Sequence, residues 1–158
     1  MAILSQNEIA ALAQQVGLSA SAARIASAIA MAESSGNTHA HNPRPPDDSY
    51  GLWQINMINK LGPERRAKFG LSRNEELFDP AVNARAMYSI SSGGTNWNPW
   101  TTYTSGRYKS YLSGSETGTP AGTTPLPGSS GTTVQGTTSQ VSLPLIIVIV
   151  VGLVLLLR

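Results

Sequence analysis

One glutamate, Glu33, stands where a carboxyl group can act as a proton donor. Ile25 and Ile29 precede it at intervals of four residues, so the three would share one face of a helix. An apolar setting disfavours the charged carboxylate and raises its pKa, and the dipole at a helix C-terminus acts in the same direction. General acid catalysis at a glycosidic bond requires a carboxyl group of this kind. The spacing leaves one alternative open, in which Glu33 is an exposed residue of a fraying last turn.

Other reactive residue types are scarce. The 158 residues include no cysteine, which excludes disulfides, thiol nucleophiles and cysteine-bound metals. His39 and His41 form the only histidine pair and lack a third ligand, so we expect no metal and no cofactor. Arg65, Arg66 and Lys68 are interpreted as a solvated helix face, with a weak attraction to anionic polymers as the alternative. The net charge of +2, without a basic stripe, gives no indication of nucleic acid binding.

Short helices are expected to position Glu33. A capping box, Ser5 with Glu8, predicts a helix that stops near Gly17. A second helix, capped by Ser19 or Ser21, would run to about Ala32 and end at Gly36-Asn37. Further helices are predicted from Pro63 to Gly70, from Asp79-Pro80 to about Ile90 and from Gly106 to Leu112, with a break at Ser92-Gly93-Gly94. Residues 37–51 are predicted to form a loop, and no convincing period-two alternation indicates strands.

The composition divides the chain into three regions. Residues 1–112 contain 18 of the 20 charged residues and all the Trp and Tyr, so they form the predicted folded domain. Residues 113–142 are rich in Gly, Ser, Thr and Pro and predict a flexible, disordered linker, with an irregular loop packed on the domain as the alternative. Residues 143–158 are almost wholly apolar and predict one C-terminal transmembrane helix, close to the lower length limit of about 17 residues. A buried strand is the alternative for this segment, because residues 146–151 are all β-branched.

Three ordered motifs within residues 5–112 resemble those of lytic transglycosylases of the soluble (SLT) type. They are residues 32–37, residues 49–56 and residues 83–88, and the segment from Trp97 to Tyr108 resembles the phage and Gram-positive branch of that group. The resemblance implies a mainly α fold, namely a lysozyme-like helical domain related to goose-type lysozymes. It also implies peptidoglycan glycan strands as the partner.

The resemblance implies a role for individual residues. Glu33 matches the single catalytic glutamate, which would cleave the bond between N-acetylmuramic acid and N-acetylglucosamine and leave a 1,6-anhydro end. Gln54 matches the motif glutamine that orients substrate or backbone. Ser49 and Tyr50 would line the cleft, and Gly51 would allow a close backbone approach. The third motif places Asn83 and Tyr88 among the substrate-binding residues.

The chain departs from the usual pattern at two points. Trp53 stands where Met is common, and the Ala-Tyr-Asn-Ala-Gly segment is absent. The segment from Trp97 to Tyr108 would then supply the aromatic wall, including Trp100, and a tyrosine. Tyr103 is the first choice for that tyrosine and Tyr108 the second, although either can equally be a core residue.

Asp47 and Asp48 are candidates for a second carboxylate. If one of them faced Glu33 across the substrate, hydrolysis of the lysozyme type would become possible. Either aspartate can instead be a loop acid that caps or orients its neighbours. A third possibility is a domain that binds glycan without cleaving it.

The expected setting is a membrane. Residues 143–157 would contact a lipid bilayer, and residues 1–15 lack the features of a secretory signal. This combination suggests a single-pass protein in the internal membrane of a bacteriophage virion, or in the host membrane during infection, where other virion proteins are possible partners. A tail-anchored enzyme encoded by the host is the alternative.

Overall fold

The computed structural model describes residues 2–112, which form a mainly helical domain with a small sheet. The helices are α1 (Gln6–Gln15), α2 (Ala20–Ser34), α3 (Leu61–Phe69), α4 (Pro80–Ile90), α5 (Thr101–Thr104) and α6 (Lys109–Leu112). The strands are β1 (His41–Asn42), β2 (Ser49–Tyr50) and β3 (Ile55–Asn56), and a 3₁₀ helix covers Asn74–Phe78. The prediction of a mainly helical domain is confirmed.

The first two helices begin at the predicted caps. Ser5 and Glu8 form the reciprocal capping box, in which Glu8 Oε2 accepts from Ser5 N at 2.7 Å. Ser19, rather than Ser21, caps α2 through its hydroxyl oxygen. Helix α2 continues to Ser34, and Ser35 ends it in the left-handed conformation. Glu33 therefore lies within the last turn of α2.

The sheet is a feature that the sequence did not predict. Its three strands are antiparallel in the order β1-β2-β3, with His41 opposite Tyr50 and Tyr50 opposite Ile55. Two residues per strand are too few to produce a recognisable alternation of apolar and polar side chains. The predicted loop of residues 37–51 is therefore partly wrong, because it contains β1 and β2.

The later helices follow local sequence signals with small shifts in their ends. Asp79 caps α4 and Pro80 occupies its first turn, as predicted. Helix α3 starts at Leu61, ahead of Pro63, because proline is tolerated anywhere in the first turn. The last helix starts at Lys109 instead of Gly106, and α5 was not predicted.

A buried hydrogen-bond network joins the sheet region to the helices. Asn83 on α4 is fully buried and donates to the carbonyls of Tyr50 and Leu77, at 2.9 and 2.8 Å. Its Oδ1 accepts from Trp53 N at 3.0 Å. The Trp53 indole donates to the Ala26 carbonyl on α2 at 2.8 Å. These bonds fix the turn after β2 against α2 and α4.

The predicted linker (residues 113–142) and transmembrane helix (residues 143–158) lie outside the described residues. Within residues 2–112, no helix combines the length and the apolar character that a membrane crossing needs.

Candidate active site

Glu33 lines a cleft and is held there by a threonine. Its side chain is partly buried at the C-terminal end of α2. Thr102, from the buried side of α5, donates from Oγ1 to Glu33 Oε1 at 2.7 Å. This short bond links helices that are far apart in sequence and restricts the orientation of the carboxyl group.

The environment raises the pKa of Glu33 above the ordinary glutamate value. Burial is the largest cause, because it disfavours the charged form. The hydrogen bond from Thr102 and the positive charge of Arg107 act in the opposite direction, and the negative charge of Asp47 raises the pKa slightly further. The net shift favours the protonated acid, as the helical spacing predicted.

The cleft has a volume of about 360 Å³, within the usual range for a ligand site. Five of the predicted site residues line it: Glu33, Ser49, Gln54, Trp100 and Asp47. The other lining residues are Asn42, Pro46, Ile55, Asn56, Arg65, Ile90, Pro99 and Thr101. The sheet, the end of α2, helix α3 and the segment before α5 thus border one cavity.

Gln54 orients backbone. Its Nε2 donates to the carbonyls of Ala40 and Gly51, at 3.1 and 3.0 Å. The residue itself adopts a positive φ of 45°, an uncommon conformation for a non-glycine residue. The predicted roles for Gln54 were to orient substrate or to orient backbone. Its amide makes the backbone contacts, and the side chain also borders the cleft.

Trp100 forms a wall of the cleft and is tied to the core. It is 5% exposed, and its indole donates to the Trp53 carbonyl at 2.8 Å. Its ring lies 5.8 Å from that of Trp97, at a tilt of 51°. With so little of its surface exposed, Trp100 contributes to the cleft mainly as a rigid support of the wall.

The two candidate second carboxylates occupy different places. Asp47 borders the cleft and accepts from Asn56 Nδ2 at 2.9 Å and from Asn42 Nδ2 at 3.4 Å. Asp48 does not line the cleft, and its Oδ1 lies 2.9 Å from His41 Nε2. The geometry therefore separates the pair, with Asp47 at the cleft and Asp48 outside its lining.

Two residues predicted to bind substrate are core residues instead. Asn83 has no exposed surface and satisfies three backbone groups, so it offers no group to a glycan. Gly51 has a φ of 74°, and a Cβ there would lie 2.3 Å from Asn83 Nδ2. The close approach predicted for Gly51 thus occurs, but against Asn83 and not against a ligand.

Tyr50 packs away from the cleft lining as well. It is buried, and its ring stacks on His41 at 4.3 Å and tilts against Phe78 at 5.4 Å. Ser49 and Tyr50 were both predicted to line the cleft. Because neighbouring side chains of a strand point to opposite faces, only Ser49 borders the cavity.

The three remaining tyrosines predicted for the site are not among the residues that line the cleft. Tyr88 is 37% exposed and borders a separate depression with Gln15 and Arg85, because it lies on another face of α4. Tyr103 and Tyr108 stack on each other at 4.8 Å and pack against the core. Their position matches the core alternative that the sequence left open.

Two residues at the site were not predicted from the sequence: Thr102, which binds Glu33, and Arg65, which lines the cleft. No sequence signal identified Thr102, because its contact with Glu33 spans 69 positions. Arg65 belongs to the basic cluster that was interpreted as a solvated face, but it is partly buried and lines the cleft. The one available signal was the helical period of α3, which turns Arg65 about 100° from Arg66.

The histidines have partners of their own. His39 Nδ1 lies 2.9 Å from Thr38 Oγ1, and the His39 ring stacks on Phe78 at 5.1 Å. His41 pairs with Asp48. In the part of the chain that the structure describes, no three His, Cys, Asp or Glu side chains are grouped as metal ligands would be.

Comparison with known proteins identifies the domain. Neither the curated proteins nor the solved structures gave a match. Residues 10–102 match the family model described as a lysozyme like domain, and this segment contains α2, the sheet and Thr102. Because the match covers more than half of the 158 residues, the chain belongs to this lysozyme-like family, a membership that supports peptidoglycan cleavage of the lytic transglycosylase or lysozyme type.

Proposed function

We propose that this protein is a peptidoglycan lytic transglycosylase in which Glu33 is the single catalytic carboxyl group. The observation that carries the proposal is the environment of Glu33. Its carboxyl borders a cleft of sugar size, burial raises its pKa, and Thr102 fixes Oε1. The hydrogen bond leaves Oε2 to carry the proton.

In the proposed reaction Glu33 acts twice. The protonated carboxyl first donates its proton to the oxygen that joins C1 of N-acetylmuramic acid to N-acetylglucosamine, and the C1–oxygen bond breaks. The carboxylate then takes the proton of the muramic C6 hydroxyl, whose oxygen bonds to C1. The products are a free N-acetylglucosamine end and a 1,6-anhydro end, and no water is consumed.

The setting follows from the sequence outside the described residues. We propose that residues 143–157 anchor the protein in a bilayer and that residues 113–142 let the domain reach a wall beside it. Such a tether raises the local enzyme concentration at the substrate. The internal membrane of a phage virion, or the host membrane during infection, remains a prediction from this architecture.

Hydrolysis of the same bond is the second candidate function, and the position of Asp47 is the observation that favours it. Asp47 borders the same cleft as Glu33, and hydrolysis would require a second carboxylate there to orient a water molecule toward C1. Two amide groups, from Asn42 and Asn56, already bind its oxygens. These contacts support an orienting role for Asp47 in the loop, and we therefore rank hydrolysis second.

A digest of purified peptidoglycan in ¹⁸O-labelled water tests the proposal. Transglycosylation gives muropeptides that lack one water and carry no label, whereas hydrolysis places ¹⁸O at C1. We expect unlabelled anhydro ends from the wild type. Glu33→Gln should lower the rate by about 10²–10⁴-fold with the fold retained. The control Glu64→Gln changes an exposed glutamate on α3 and should have wild-type activity. Digestion of peptidoglycan by Glu33→Gln at the wild-type rate would refute the assignment of Glu33 as the catalytic carboxyl group.

A further inference from the structure

Arg65 presents a guanidinium to the cleft that contains Glu33. It lies on α3, is partly buried and borders the cavity together with Asp47 and Asn56. Its Nη1 donates to the Asn56 carbonyl on β3, which fixes one side of the planar group. Among residues 2–112 this is its one hydrogen-bond acceptor, so four of its five N–H donors are left for other partners.

The charge of Arg65 is uncompensated within residues 2–112. No carboxylate oxygen in this part of the chain lies within ion-pair distance of it, and Asp47 is bound by the amides of Asn42 and Asn56. Burial lowers the pKa of Arg65, although a guanidinium remains cationic at any physiological pH. The neighbouring Arg66 also has a neutral partner, since it donates to Asn74 Oδ1 at 2.6 Å, but unlike Arg65 it does not line the cleft.

A partly buried cation without a counter-charge is costly unless a ligand supplies one. The planar fork of arginine matches a carboxylate through two parallel hydrogen bonds. Peptidoglycan offers such groups and a polymer of N-acetylglucosamine alone does not. In a strand without peptides, the carboxylate is that of the muramic lactyl group. In a strand with peptides, the lactyl group is an amide and the carboxylates belong to the stem peptide.

We propose that Arg65 is a specificity-determining residue that binds a carboxylate carried by the muramic acid of the substrate. This inference rests on the proposed function, since it names the feature of the glycan that the same cleft recognises. Arg65 would thereby select muramic acid strands over strands of N-acetylglucosamine and place the muramic residue in register with Glu33.

Binding to the full-length chain tests this inference independently of turnover. The Glu33→Gln protein is titrated, by tryptophan fluorescence, with three soluble ligands. They are peptide-free glycan strands, the same strands with the lactyl carboxyl reduced to an alcohol, and peptide-bearing strands. Each ligand is also titrated with three double variants, in which Glu33→Gln is combined with Arg65→Gln, Arg65→Lys or Lys68→Gln. The Lys68→Gln variant is the control, because Lys68 is an exposed residue of α3 and its substitution removes the same charge.

We expect Arg65→Gln to weaken carboxylate-bearing ligands at least tenfold and to leave the reduced strands unchanged. Loss confined to peptide-free strands identifies the lactyl carboxylate, and loss confined to peptide-bearing strands identifies the stem. Arg65→Lys should retain part of the affinity, and Lys68→Gln should retain all of it. Equal weakening for all three ligands, or none, would overturn the inference, because the side chain would then act on the fold alone or not at all. An absence of cleavage by the wild type would contradict the proposed function and leave this binding comparison intact.

Discussion

The core beneath the turn after β2 and the cleft beside it differ in how fully their polar side chains are hydrogen-bonded. In the core, Asn83 is fully buried and each contact of its amide is with a buried backbone group. In the cleft, Glu33 and Arg65 are partly buried ionisable residues whose pKa values are shifted by burial. Glu33 has one hydrogen bond from Thr102, and Arg65 has one to the Asn56 carbonyl.

This difference separates structural from functional polar residues. A satisfied buried amide stabilises the fold, and its groups have no capacity left for a ligand. Burial destabilises the charged form of a carboxyl or guanidinium group. Such a group is stabilised when a proton neutralises its charge or a substrate group of opposite charge pairs with it. The contrast explains why Asn83, although it belongs to a family-like motif, does not contact the cleft, whereas Arg65 does.

Removal of the Asn83 amide should have the largest effect on stability. Asn83→Ala removes the side-chain partner of Trp53 N and of the carbonyls of Tyr50 and Leu77, and each buried group left unsatisfied costs about 1–3 kcal/mol. We expect the free energy of unfolding to fall by at least about 3 kcal/mol, measured by urea denaturation with tryptophan fluorescence. The exposed Asn7→Ala on α1 is the control, with a change within about 0.5 kcal/mol. A loss below about 1 kcal/mol for Asn83→Ala would remove the distinction between the two regions.

Loss of the Thr102 hydroxyl should lower the rate by roughly tenfold, the size of a hydrogen bond to a charged group. Because this bond lowers the pKa of Glu33, its removal raises that pKa further, and the basic limb of the pH–rate profile should move to higher pH. Thr102→Val and Thr102→Ser are compared, and serine should restore both the rate and the limb. A limb that stays in place in Thr102→Val would show that the bond does not act on the proton of Glu33.

Glu33→Gln should change stability in the direction opposite to Asn83→Ala. The pKa of Glu33 is higher in the folded than in the unfolded chain, so the wild type loses stability as the pH rises through the folded value. The variant should therefore unfold at a higher temperature than the wild type at pH 7 and at the same temperature near pH 3. The gain should be below about 1 kcal/mol, because solvent still reaches the carboxyl. A variant less stable than the wild type at pH 7 would contradict the role of burial.

Asp47→Asn should have the smallest effect and the opposite sign to Thr102→Val on the pH profile. Loss of the negative charge lowers the pKa of Glu33, so the basic limb should move slightly to lower pH. We expect the rate to remain within about threefold, which is about 0.7 kcal/mol. The Asp48→Asn variant removes the negative charge beside His41, outside the cleft, and should leave the limb unchanged. A rate loss above about 100-fold in Asp47→Asn would favour hydrolysis instead.

Local signals predicted much of the fold and only part of the site. The capping box at Ser5, the cap at Asp79 and the helical spacing before Glu33 depend on neighbours in sequence, and each is confirmed. The strands were not predicted because two residues per strand are too few to show an alternating pattern of apolar and polar side chains. The contact between Thr102 and Glu33 escaped because only the packing of α5 on α2 creates it.

The tyrosines show the same limit. Tyr50 and Tyr88 lie in segments that resemble a family motif, but a motif does not state which face of a strand or helix borders the cleft. Alternation along β2 places Ser49 in the cavity and Tyr50 in the core. Burial and orientation, which depend on tertiary packing, decided these residues.

The most direct test of the account is the titration of the Glu33 carboxyl itself. In uniformly ¹³C-labelled protein, its side-chain carboxyl resonance is assigned by its absence from Glu33→Gln and followed by NMR from pH 3 to pH 8. We predict a midpoint above 4.5, the ordinary glutamate value, that moves higher still in Thr102→Val. A midpoint at or below 4.5 would contradict the claim that burial raises the pKa of this carboxyl group.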